Sequence, residues 1–377
     1  MRIVFLSNYF NHHQSALSDA LWRETEGQYL FIEGQAMPEE RKQLGCEAAG
    51  RVYVMPLHRH ERQAIRAVLE ADVVVAGSAP EWLVQIRVRS GKLLLRYAER
   101  PLKNGPESCK FWLRYLRWHG RNPGKAPIYL LCASAYTAGD YEKFGLFRGK
   151  TYKWGYFPET KRYETEALMN KKDPFRVLWC GRLIESKHPE DAFYAVKKLQ
   201  KEGYSITLEL IGGGPMEEML RELAKTLEPG SVRFSGAISA EKVRSAMEKA
   251  GIFLFTSDAR EGWGAVLNEA MNSGCAVIAS RAAGATPFLV KQGENGFAYP
   301  YGDREYLTEK LRYLLQHPEV QRSLGAAAYC AIRDIWNAEE AAKRLVALAG
   351  VLAERKTAQA LFSEGPCSPA GSLEEMG

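Results

Sequence analysis

Short apolar segments alternate with helical segments along this 377-residue chain, and the alternation starts twice. The first series opens with the strand-like run Ile3–Ser7. A polar, charged stretch at 150–175 interrupts the pattern before "FRVLWCGRL" (175–183) opens the second series. Apolar strands separated by helices are typical of a mostly parallel sheet, and a chain of this length exceeds the size of a single core. We therefore predict an α/β protein with two Rossmann-like, doubly wound domains.

The predicted domain boundaries follow the two series. Residues 1–158 form the first Rossmann-like domain and residues 159–335 the second. An amphipathic helix over 336–353 is expected to pack back toward the first domain, and the Gly/Pro/Ser-rich tail 354–377 is expected to be flexible. Open α/β sheets bind ligands beyond the carboxyl ends of their strands. We therefore expect the site in a cleft where the two domains face each other.

The composition and the cysteine spacing are typical of a globular protein of a reducing compartment. Hydrophobic residues make up 46% and charged residues 25% of the chain, as in an ordinary globular protein. The N-terminal apolar run is too short for a signal peptide, and no stretch approaches the roughly 18 apolar residues of a membrane span. Seven cysteines without a C-x-x-C pair then indicate free thiols in a reducing cytoplasm, with no metal site.

The net charge of +6 comes from the first half of the chain, where residues 87–125 contain eleven basic side chains against Glu99 and Glu107. Such a surface suits a nucleic acid, an anionic membrane or a phosphorylated substrate. Within it, "KFWLRYLRWHGR" (110–121) mixes aromatic residues and leucines with Lys and Arg. On a helix this mixture suits an anionic membrane interface, and a core helix with a basic outer face is the alternative.

A basic pair follows the first strand of the second domain. Arg182 offers a planar fork of donors and Lys187 a point charge, so together they suit a phosphate or diphosphate. The alternative is a solvated basic loop in which they pair with Glu185 or Glu190.

A glycine-rich turn at 212–214, in "LIGGGPMEEML", would let the backbone approach a ligand and expose the amides of a helix start. It does not match the dinucleotide-binding fingerprint. A simple tight turn is the stronger interpretation.

Two glutamates eight positions apart occur in "EGWGAVLNEAM" (261–271). A helix starting near Gly264 would present unpaired amides and its positive dipole end to an anion. Glu269 would lie about one turn further, where a carboxylate can accept two hydroxyl hydrogen bonds from a ribose. Glu261 would face the other side of the phosphate. The alternative is an acidic helix start followed by an exposed helical glutamate.

The loop after the first strand of the first domain is polar. It contains Asn11, His12, His13 and Gln14. Neutral His and Gln can bond sugar hydroxyls, and a protonated His can stabilise a leaving diphosphate. Polar residues at a helix start, facing water, are the alternative.

Taken together, these segments resemble retaining glycosyltransferase family 4, in the glycosyl transferases group 1, whose members have the GT-B fold. "EGWGAVLNEAMNSGCAVIAS" resembles the family's E-x7-E element. "GRLIESK", "LIGGGPMEEML", "VRFSGAISAEKV" and "GENGFAYPYGD" resemble, in order, its neighbouring segments. The resemblance covers about 175–350, whereas the first domain matches in architecture and size alone.

The resemblance implies a role for each motif residue. Glu261 would bind hydroxyls of the donor sugar and Glu269 the ribose of the nucleotide. Ile238 lies in the stretch that contacts the base. The side chains of Arg182 and Lys187 would bind the donor diphosphate. The helix-start amides that would also bind it are those of Gly264, Ala265, Val266 and Leu267. Arg182, Lys187, Glu261 and His13 are the candidate catalytic residues.

The implied activity is transfer of a hexosyl group, with retention, from a nucleotide diphosphate sugar to an acceptor hydroxyl. The first domain would bind the acceptor, which is a sugar or a polyprenyl-diphosphate-linked sugar of bacterial-type polysaccharide or glycolipid synthesis. The family usually works without a metal, so we expect no metal and no cofactor, the nucleotide sugar being a substrate. We further expect no nucleic-acid partner, and a cytoplasmic location that includes the inner face of a membrane through residues 110–121.

The sequence departs from the family pattern in two places. It reads "AAGATPFL" where an acid is common, and "NYFNHHQ" where a glycine-rich loop is common. A sugar-nucleotide epimerase, a phosphorylase-like enzyme, a catalytically silent scaffold and a nucleic-acid-binding protein remain as alternatives. Against the last of these, the basic half contains no helix with base-reading spacing and no aromatic RNA-binding motif.

Overall fold

The computed structural model describes residues 1–38, 50–105, 111–354 and 361–373. Within these ranges the chain divides into two compact units. The first unit consists of Met1–Glu159 together with the segment from Trp336 onward, and the second unit of Thr160–Ile335. The division after residue 159 lies next to the predicted boundary after residue 158.

The first unit is built on a seven-stranded sheet. Its strands are β1 (Ile3–Ser7), β2 (Tyr29–Glu33), β3 (Val54–Pro56), β4 (Val73–Ala76), β5 (Leu94–Ala98), β6 (Ile128–Cys132) and β7 (Thr151–Lys153). Their order is β3-β2-β1-β4-β5-β6-β7, and each neighbouring pair is parallel. The helices between them are α1 (His12–Glu24), α2 (Glu61–Glu70), α3 (Glu81–Arg89), α4 (Phe111–Arg121) and α5 (Thr137–Glu142).

The second unit repeats this plan with a six-stranded sheet. Its strands are β8 (Asp173–Cys180), β9 (Thr207–Ile211), β10 (Val232–Gly236), β11 (Ala250–Phe255), β12 (Ala276–Ser280) and β13 (Phe297–Tyr299). Their order is β10-β9-β8-β11-β12-β13, again parallel throughout. The helices are α6 (Thr165–Met169), α7 (Glu190–Lys201), α8 (Glu217–Ala224), α9 (Ala240–Lys249), α10 (Ala265–Asn272), α11 (Thr286–Leu289), α12 (Arg304–Gln316) and α13 (Pro318–Asp334).

Two parallel sheets with helical crossovers confirm the predicted α/β fold class. The central strands are continuous apolar runs because helices cover both faces of the sheet. Every residue of β4, β11 and β12 is accordingly buried. In each sheet the strand order reverses once, between β1 and β4 and between β8 and β11. At such a reversal the loops leave in opposite directions and open a crevice at the carboxyl ends of the two strands.

A C-terminal helix, α14 (Ala338–Ala353), belongs to the first unit and packs against α1. Its buried side is apolar and includes Leu345, Leu348 and Leu352. Asn337 caps its first turn by accepting a hydrogen bond from the backbone N–H of Glu340 at 2.8 Å. The helix therefore buries its apolar side within the first unit, although the whole second unit separates it in sequence from the strands of the first.

Part of the C-terminal segment expected to be flexible is packed in the structure. Residues 361–373 run beside β7, where the Cys367 N–H donates to the Lys153 carbonyl at 2.8 Å and the Lys153 N–H donates back into the segment at 2.8 Å. The expectation was wrong for this stretch, because the open edge of β7 satisfies backbone groups that composition alone leaves without partners. The remaining parts of the tail, 355–360 and 374–377, lie outside the described residues.

A buried arginine joins α2 and α3 to the loop before β5. Arg87 is fully buried, and its guanidinium donates to the carbonyl oxygens of Val68 (3.0 Å), Ala71 (2.8 Å), Asp72 (2.8 Å) and Leu93 (2.9 Å). Burial lowers its pKa to about 10, so the group stays charged at neutral pH. The carbonyls at and just beyond the end of α2 thus receive side-chain donors in place of water.

Replacing Arg87 with Met should destabilise the protein by about 2–4 kcal/mol, because several buried carbonyls lose their donors. Urea unfolding would measure the change. Arg89→Met is the matched control, since Arg89 is exposed on the same helix. Equal stability of the two variants would show that the buried guanidinium contributes nothing net.

Candidate functional site

The candidate site of the second unit lies where its strand order reverses. β8 and β11 are neighbours, and the chain leaves β8 toward one edge of the sheet and β11 toward the other. The loop after β8 spans 181–189 and the loop after β11 spans 256–264. Because both loops start at the carboxyl ends of adjacent strands, side chains from the two can meet in one crevice.

Lys187 and Glu261 do meet there. The ammonium group of Lys187 pairs with the carboxylate oxygen Oε2 of Glu261. The Ser257 hydroxyl also donates to Oε2, at 3.3 Å. The two charged side chains are 17% and 16% exposed, so the pair is shielded but can be reached from solvent. A cation and a carboxylate 74 positions apart in the chain are thus brought together at the strand ends.

Polar contacts beneath the pair hold the two loops in register. The Trp179 indole N–H donates to the Thr256 hydroxyl at 2.9 Å, and that hydroxyl donates to the Lys187 carbonyl at 2.6 Å. The Asp258 N–H donates to the Ser186 carbonyl at 3.0 Å. Thr256 and Trp179 are buried, and buried hydrogen bonds of this kind hold a unique geometry. The Lys187 backbone is therefore fixed relative to the loop that carries Glu261.

The helix start next to the pair presents backbone donors. Gly264 caps α10 in the left-handed region with φ of 95°, and a β-carbon there would lie 2.3 Å from the Phe255 ring. In the described part of the chain the amides of Ala265 and Val266 bond to no acceptor, whereas the Leu267 amide donates to the Gly264 carbonyl at 2.9 Å. Of the four amides predicted to bind phosphate, those of Gly264, Ala265, Val266 and Leu267, the last is therefore already engaged within the helix.

Glu269 is partly buried in the second turn of α10. Burial raises the pKa of its carboxyl, and the charge of Arg244 opposes that shift. The Cys180 thiol at the end of β8 has a pKa raised to about 12, first by burial and then by the charge of Glu269, while Lys187 lowers it. The charges of Glu269 and Lys187 thus both act on the thiol at the carboxyl end of β8.

Arg182 is exposed and, within the described ranges, makes no ion pair or side-chain hydrogen bond. The alternative partners considered for it have other contacts, because Glu185 faces Arg260 at 3.6 Å and Glu190 accepts from His188 at 2.9 Å. Its guanidinium is therefore available to a ligand, although the structure shows no contact between Arg182 and the Lys187–Glu261 pair.

The glycine-rich turn at 212–214 serves the packing of two loops. A β-carbon on Gly212 would lie 1.8 Å from the Gly181 carbonyl oxygen, and one on Gly214 would lie 2.4 Å from that of Leu183. The Leu183 N–H also donates to the Gly213 carbonyl at 3.0 Å. The glycines thus allow this turn to lie directly against the loop that carries Arg182, which is the tight-turn interpretation.

Ile238, predicted in the stretch that contacts the base, is partly buried in the segment between β10 and α9. The Ser239 hydroxyl oxygen that follows it accepts from the Lys242 N–H at the start of α9, at 3.5 Å. This position is at the carboxyl end of β10, two strands away from β8 in the sheet.

In the first unit, the polar loop after β1 is at the reversal between β1 and β4. The side chain of Asn11 accepts from the His13 N–H at 3.0 Å and so caps α1, which makes it a helix-start residue. The Gln14 side chain donates to the Ser7 hydroxyl at 3.3 Å. His13 is partly buried in the first turn of α1, and nothing is described for the side chain of His12.

Three polar residues of this site were missed in the sequence analysis. Thr256 and Ser257 directly follow β11, and His188 directly follows Lys187. Thr256 and Ser257 follow the last residue of an apolar strand, and that position was the signal that could have found them. His188 gave no such signal. Among the described residues no group of three or more His, Cys, Asp or Glu side chains could hold a metal ion.

Residues 161–330 match the family model described as glycosyl transferases group 1. A sulfoquinovosyl transferase of Arabidopsis thaliana is 32% identical over 175 residues, which cover 45% of this chain and 33% of that protein. A GDP-mannose-dependent phosphatidylinositol monomannoside mannosyltransferase of Mycolicibacterium smegmatis is 28% identical over 179 residues, covering 46% of this chain and 47% of that protein. The chain therefore spans less than half the length of these curated relatives.

Similarity to solved structures extends over nearly the whole chain. The Anabaena protein HepE, crystallised with UDP and glucose, superposes with a TM-score of 0.63 at 15% identity, covering 92% of this chain and 98% of that one. At this identity the likeness concerns the fold. Residues 161–330 are thus similar to glycosyl transferases group 1, and the two parallel-sheet units have the GT-B fold.

Proposed function

We propose that the chain transfers a hexosyl group from a nucleotide diphosphate sugar to an acceptor hydroxyl, with retention at the anomeric carbon. The observation that carries the proposal is the pairing of Lys187 with Glu261 beside the unpaired amides at the start of α10. The charge of Glu269, whose pKa burial raises, acts with that of Lys187 on the Cys180 thiol at the end of β8. The bound UDP and glucose of the structurally similar Anabaena protein support the donor class.

In this proposal the donor extends across the carboxyl ends of β8 and β11. The amides of Ala265 and Val266, the ammonium of Lys187 and the guanidinium of Arg182 bind the diphosphate. Preorganised donors of this kind stabilise the charge that grows on a leaving diphosphate. Glu261, released from Lys187 as phosphate takes its place, accepts hydrogen bonds from sugar hydroxyls.

The reaction breaks the bond between the anomeric carbon and the diphosphate oxygen and forms a bond from that carbon to the acceptor oxygen. The acceptor proton passes to the leaving phosphate on the same face of the sugar, as the family resemblance implies. In this proposal, cationic side chains and amides stabilise the charge on the leaving diphosphate, so the reaction needs no metal ion. The anomeric configuration of the product, read by NMR coupling constants, distinguishes retention from inversion.

Nucleotide-sugar binding is the direct test. UDP-glucose or GDP-mannose should raise the unfolding temperature of the wild type, since a ligand at 100 times its Kd stabilises by about 2.7 kcal/mol. Lys187→Ala should abolish most of this stabilisation and lower kcat by about 10²–10³, because one charge-stabilising group is lost. Glu261→Gln should keep the stabilisation by the nucleotide and lose transfer.

Lys198→Ala is the matched control, since Lys198 pairs with Glu305 on the outer side of α7 in the same unit. Unchanged stabilisation in Lys187→Ala would remove the proposed diphosphate site. A wild type that binds nucleotide sugars but never transfers would be the silent scaffold, and salt-sensitive RNA binding without nucleotide-sugar binding would favour the nucleic-acid alternative.

Glu269 should recognise the ribose. The wild type is expected to bind 2′-deoxy-UDP-glucose about tenfold more weakly than UDP-glucose, because a charged hydrogen-bond partner is lost. Glu269→Gln should reduce that ratio to less than about threefold. Isothermal titration calorimetry gives both ratios, with Glu241→Gln, an exposed carboxylate on α9, as the control. A ratio that survives the substitution would place the ribose elsewhere.

For the acceptor, we propose a sugar or a polyprenyl-diphosphate-linked sugar of bacterial-type polysaccharide or glycolipid synthesis, reached at the inner face of a membrane. The supporting feature is α4, where Leu113 is 69% and Leu116 66% exposed beside exposed Arg117. Trp118 on the same helix packs against Phe144 instead, at a centroid distance of 4.5 Å. No helix in the described ranges is long and apolar enough to cross a membrane.

Vesicle co-sedimentation tests this surface. The wild type should bind vesicles containing phosphatidylglycerol and not vesicles of phosphatidylcholine alone, because basic residues favour anionic lipid. Leu113→Ser with Leu116→Ser should weaken binding at least about tenfold, since each buried leucine contributes about 1.5–3 kcal/mol. Met219→Ser, at an exposed apolar position on α8, is the control. Equal binding by the double variant would exclude this helix as the membrane contact.

A further inference from the structure

The residue after Lys187 has an unusual backbone. His188 lies in the left-handed region with φ of 46° and ψ of 51°. For a residue with a β-carbon this conformation is strained, and such strain persists where the surroundings over-determine it. It ends the short 3-10 turn Glu185–Lys187 that carries the lysine of the candidate site. The strained backbone therefore lies directly after Lys187, at the end of the turn that carries this side chain.

The imidazole of His188 is bound from three directions. Its Nδ1 lies 2.9 Å from Glu190 Oε1, and its Nε2 lies 3.3 Å from Asp258 Oδ2 and 3.0 Å from the Tyr301 hydroxyl. Glu190 is at the start of α7, Asp258 in the loop after β11 and Tyr301 after β13. The side chain is 15% exposed. One ring thus connects three segments at the carboxyl edge of the sheet.

These contacts control the geometry of the Lys187–Glu261 pair. The Asp258 carboxylate lies 3.3 Å from the His188 ring. The backbone N–H of Asp258 donates to the Ser186 carbonyl at 3.0 Å. The Glu261 N–H in turn donates to the Asp258 carbonyl at 3.1 Å. Lys187 stands between two residues fixed to Asp258, and Glu261 is fixed to the same residue. The imidazole therefore clamps the two loops that bring lysine and glutamate together.

We propose that His188 is a positioning residue whose protonated ring holds Lys187 and Glu261 in the arrangement that receives the diphosphate of a nucleotide sugar, so that donor affinity depends on pH. This inference rests on the proposed function. It adds a residue that does not touch the donor, and a regulation of donor binding by protons.

The surroundings of the ring favour its charged form. The hydrogen bond to Glu190 raises the pKa of His188, burial opposes this, and the hydrogen bond to Asp258 raises it further. The carboxyls of Glu190 and Asp258 both have lowered pKa values, to which their contacts with His188 contribute. The charged or titratable groups that face this cluster are Glu190 and Asp191 on α7, Asp258 and Arg260 after β11, and Tyr301 and Arg304 after β13.

The direction of the pH effect follows from this shift. The folded pKa of His188 lies above the unfolded value of about 6.5, so the ionic clamp is fully present below that value. It is lost as the pH rises through the folded pKa. Donor affinity should therefore fall on going from mildly acid to mildly alkaline solution.

Two substitutions separate the clamp from the backbone strain. His188→Gly removes the ring and relieves the strain, because glycine adopts positive φ readily. His188→Asn removes the titrating charge in a residue that tolerates the left-handed region. His317→Gln is the matched control, since His317 is an exposed histidine beside Glu319 in the same unit.

The experiment is calorimetric titration of the full chain with UDP-glucose and GDP-mannose between about pH 5 and about pH 8, the range in which histidine titrates. Nucleotide sugars are preferred to free nucleoside diphosphates, whose terminal phosphate itself titrates near about pH 6. Wild-type affinity should fall about three- to tenfold across the range. Both His188 variants should bind more weakly than the wild type at low pH and show no such slope, whereas His317→Gln should follow the wild type.

The titration results distinguish the inference about His188 from the proposed function. A wild-type affinity that does not change with pH, or a His188→Asn variant that keeps the wild-type slope, overturns the inference and leaves the proposed function standing. Absence of binding of either nucleotide sugar to the folded wild type overturns the proposed function and this inference with it. Weaker binding by the variants with an unchanged slope would show a purely structural histidine and also overturns the inference.

Discussion

The pairing of β8 with β11 is the constraint on which the second unit's chemistry depends. These neighbouring strands leave the sheet in opposite directions, so their loops meet above the sheet with no other strand between them. The Thr256 hydroxyl, which accepts from Trp179 and donates to the Lys187 carbonyl, keeps these loops in register. Since the hydroxyl is buried, loss of either partner would leave a polar group unsatisfied in the interior.

Apolar periodicity and residue spacing predict most of the architecture. The repeated alternation of strand and helix is enough to predict two parallel sheets, and strand ends alone place Lys187 near Glu261. The resemblance to a known family adds a ribose-binding role for Glu269, which stays a prediction. The fold prediction is confirmed because burial and strand direction determine sequence patterns that are only a few residues long.

What the sequence could not predict depends on contacts between distant segments. The packing of residues 361–373 on β7 rests on backbone hydrogen bonds, which leave no signature in side-chain pattern. Tyr141 and Phe144 cover Trp118 of α4, so Leu113 and Leu116, and not Trp118, are the exposed apolar side chains. The left-handed backbone of His188 is likewise invisible in sequence, because a residue other than glycine there is sustained by partners on three other segments.

The chain order of the first unit has a consequence for its synthesis. Every strand and helix of the second unit precedes residue 335, whereas the first unit needs α14 to cover α1 and residues 361–373 to cover the edge of β7. On the ribosome, the first unit therefore has an uncovered helix face and an unpaired strand edge until α14 and residues 361–373 emerge. The first unit begins before the second in the chain but is completed after it, and during that interval its exposed strand edge is open to pairing with other chains.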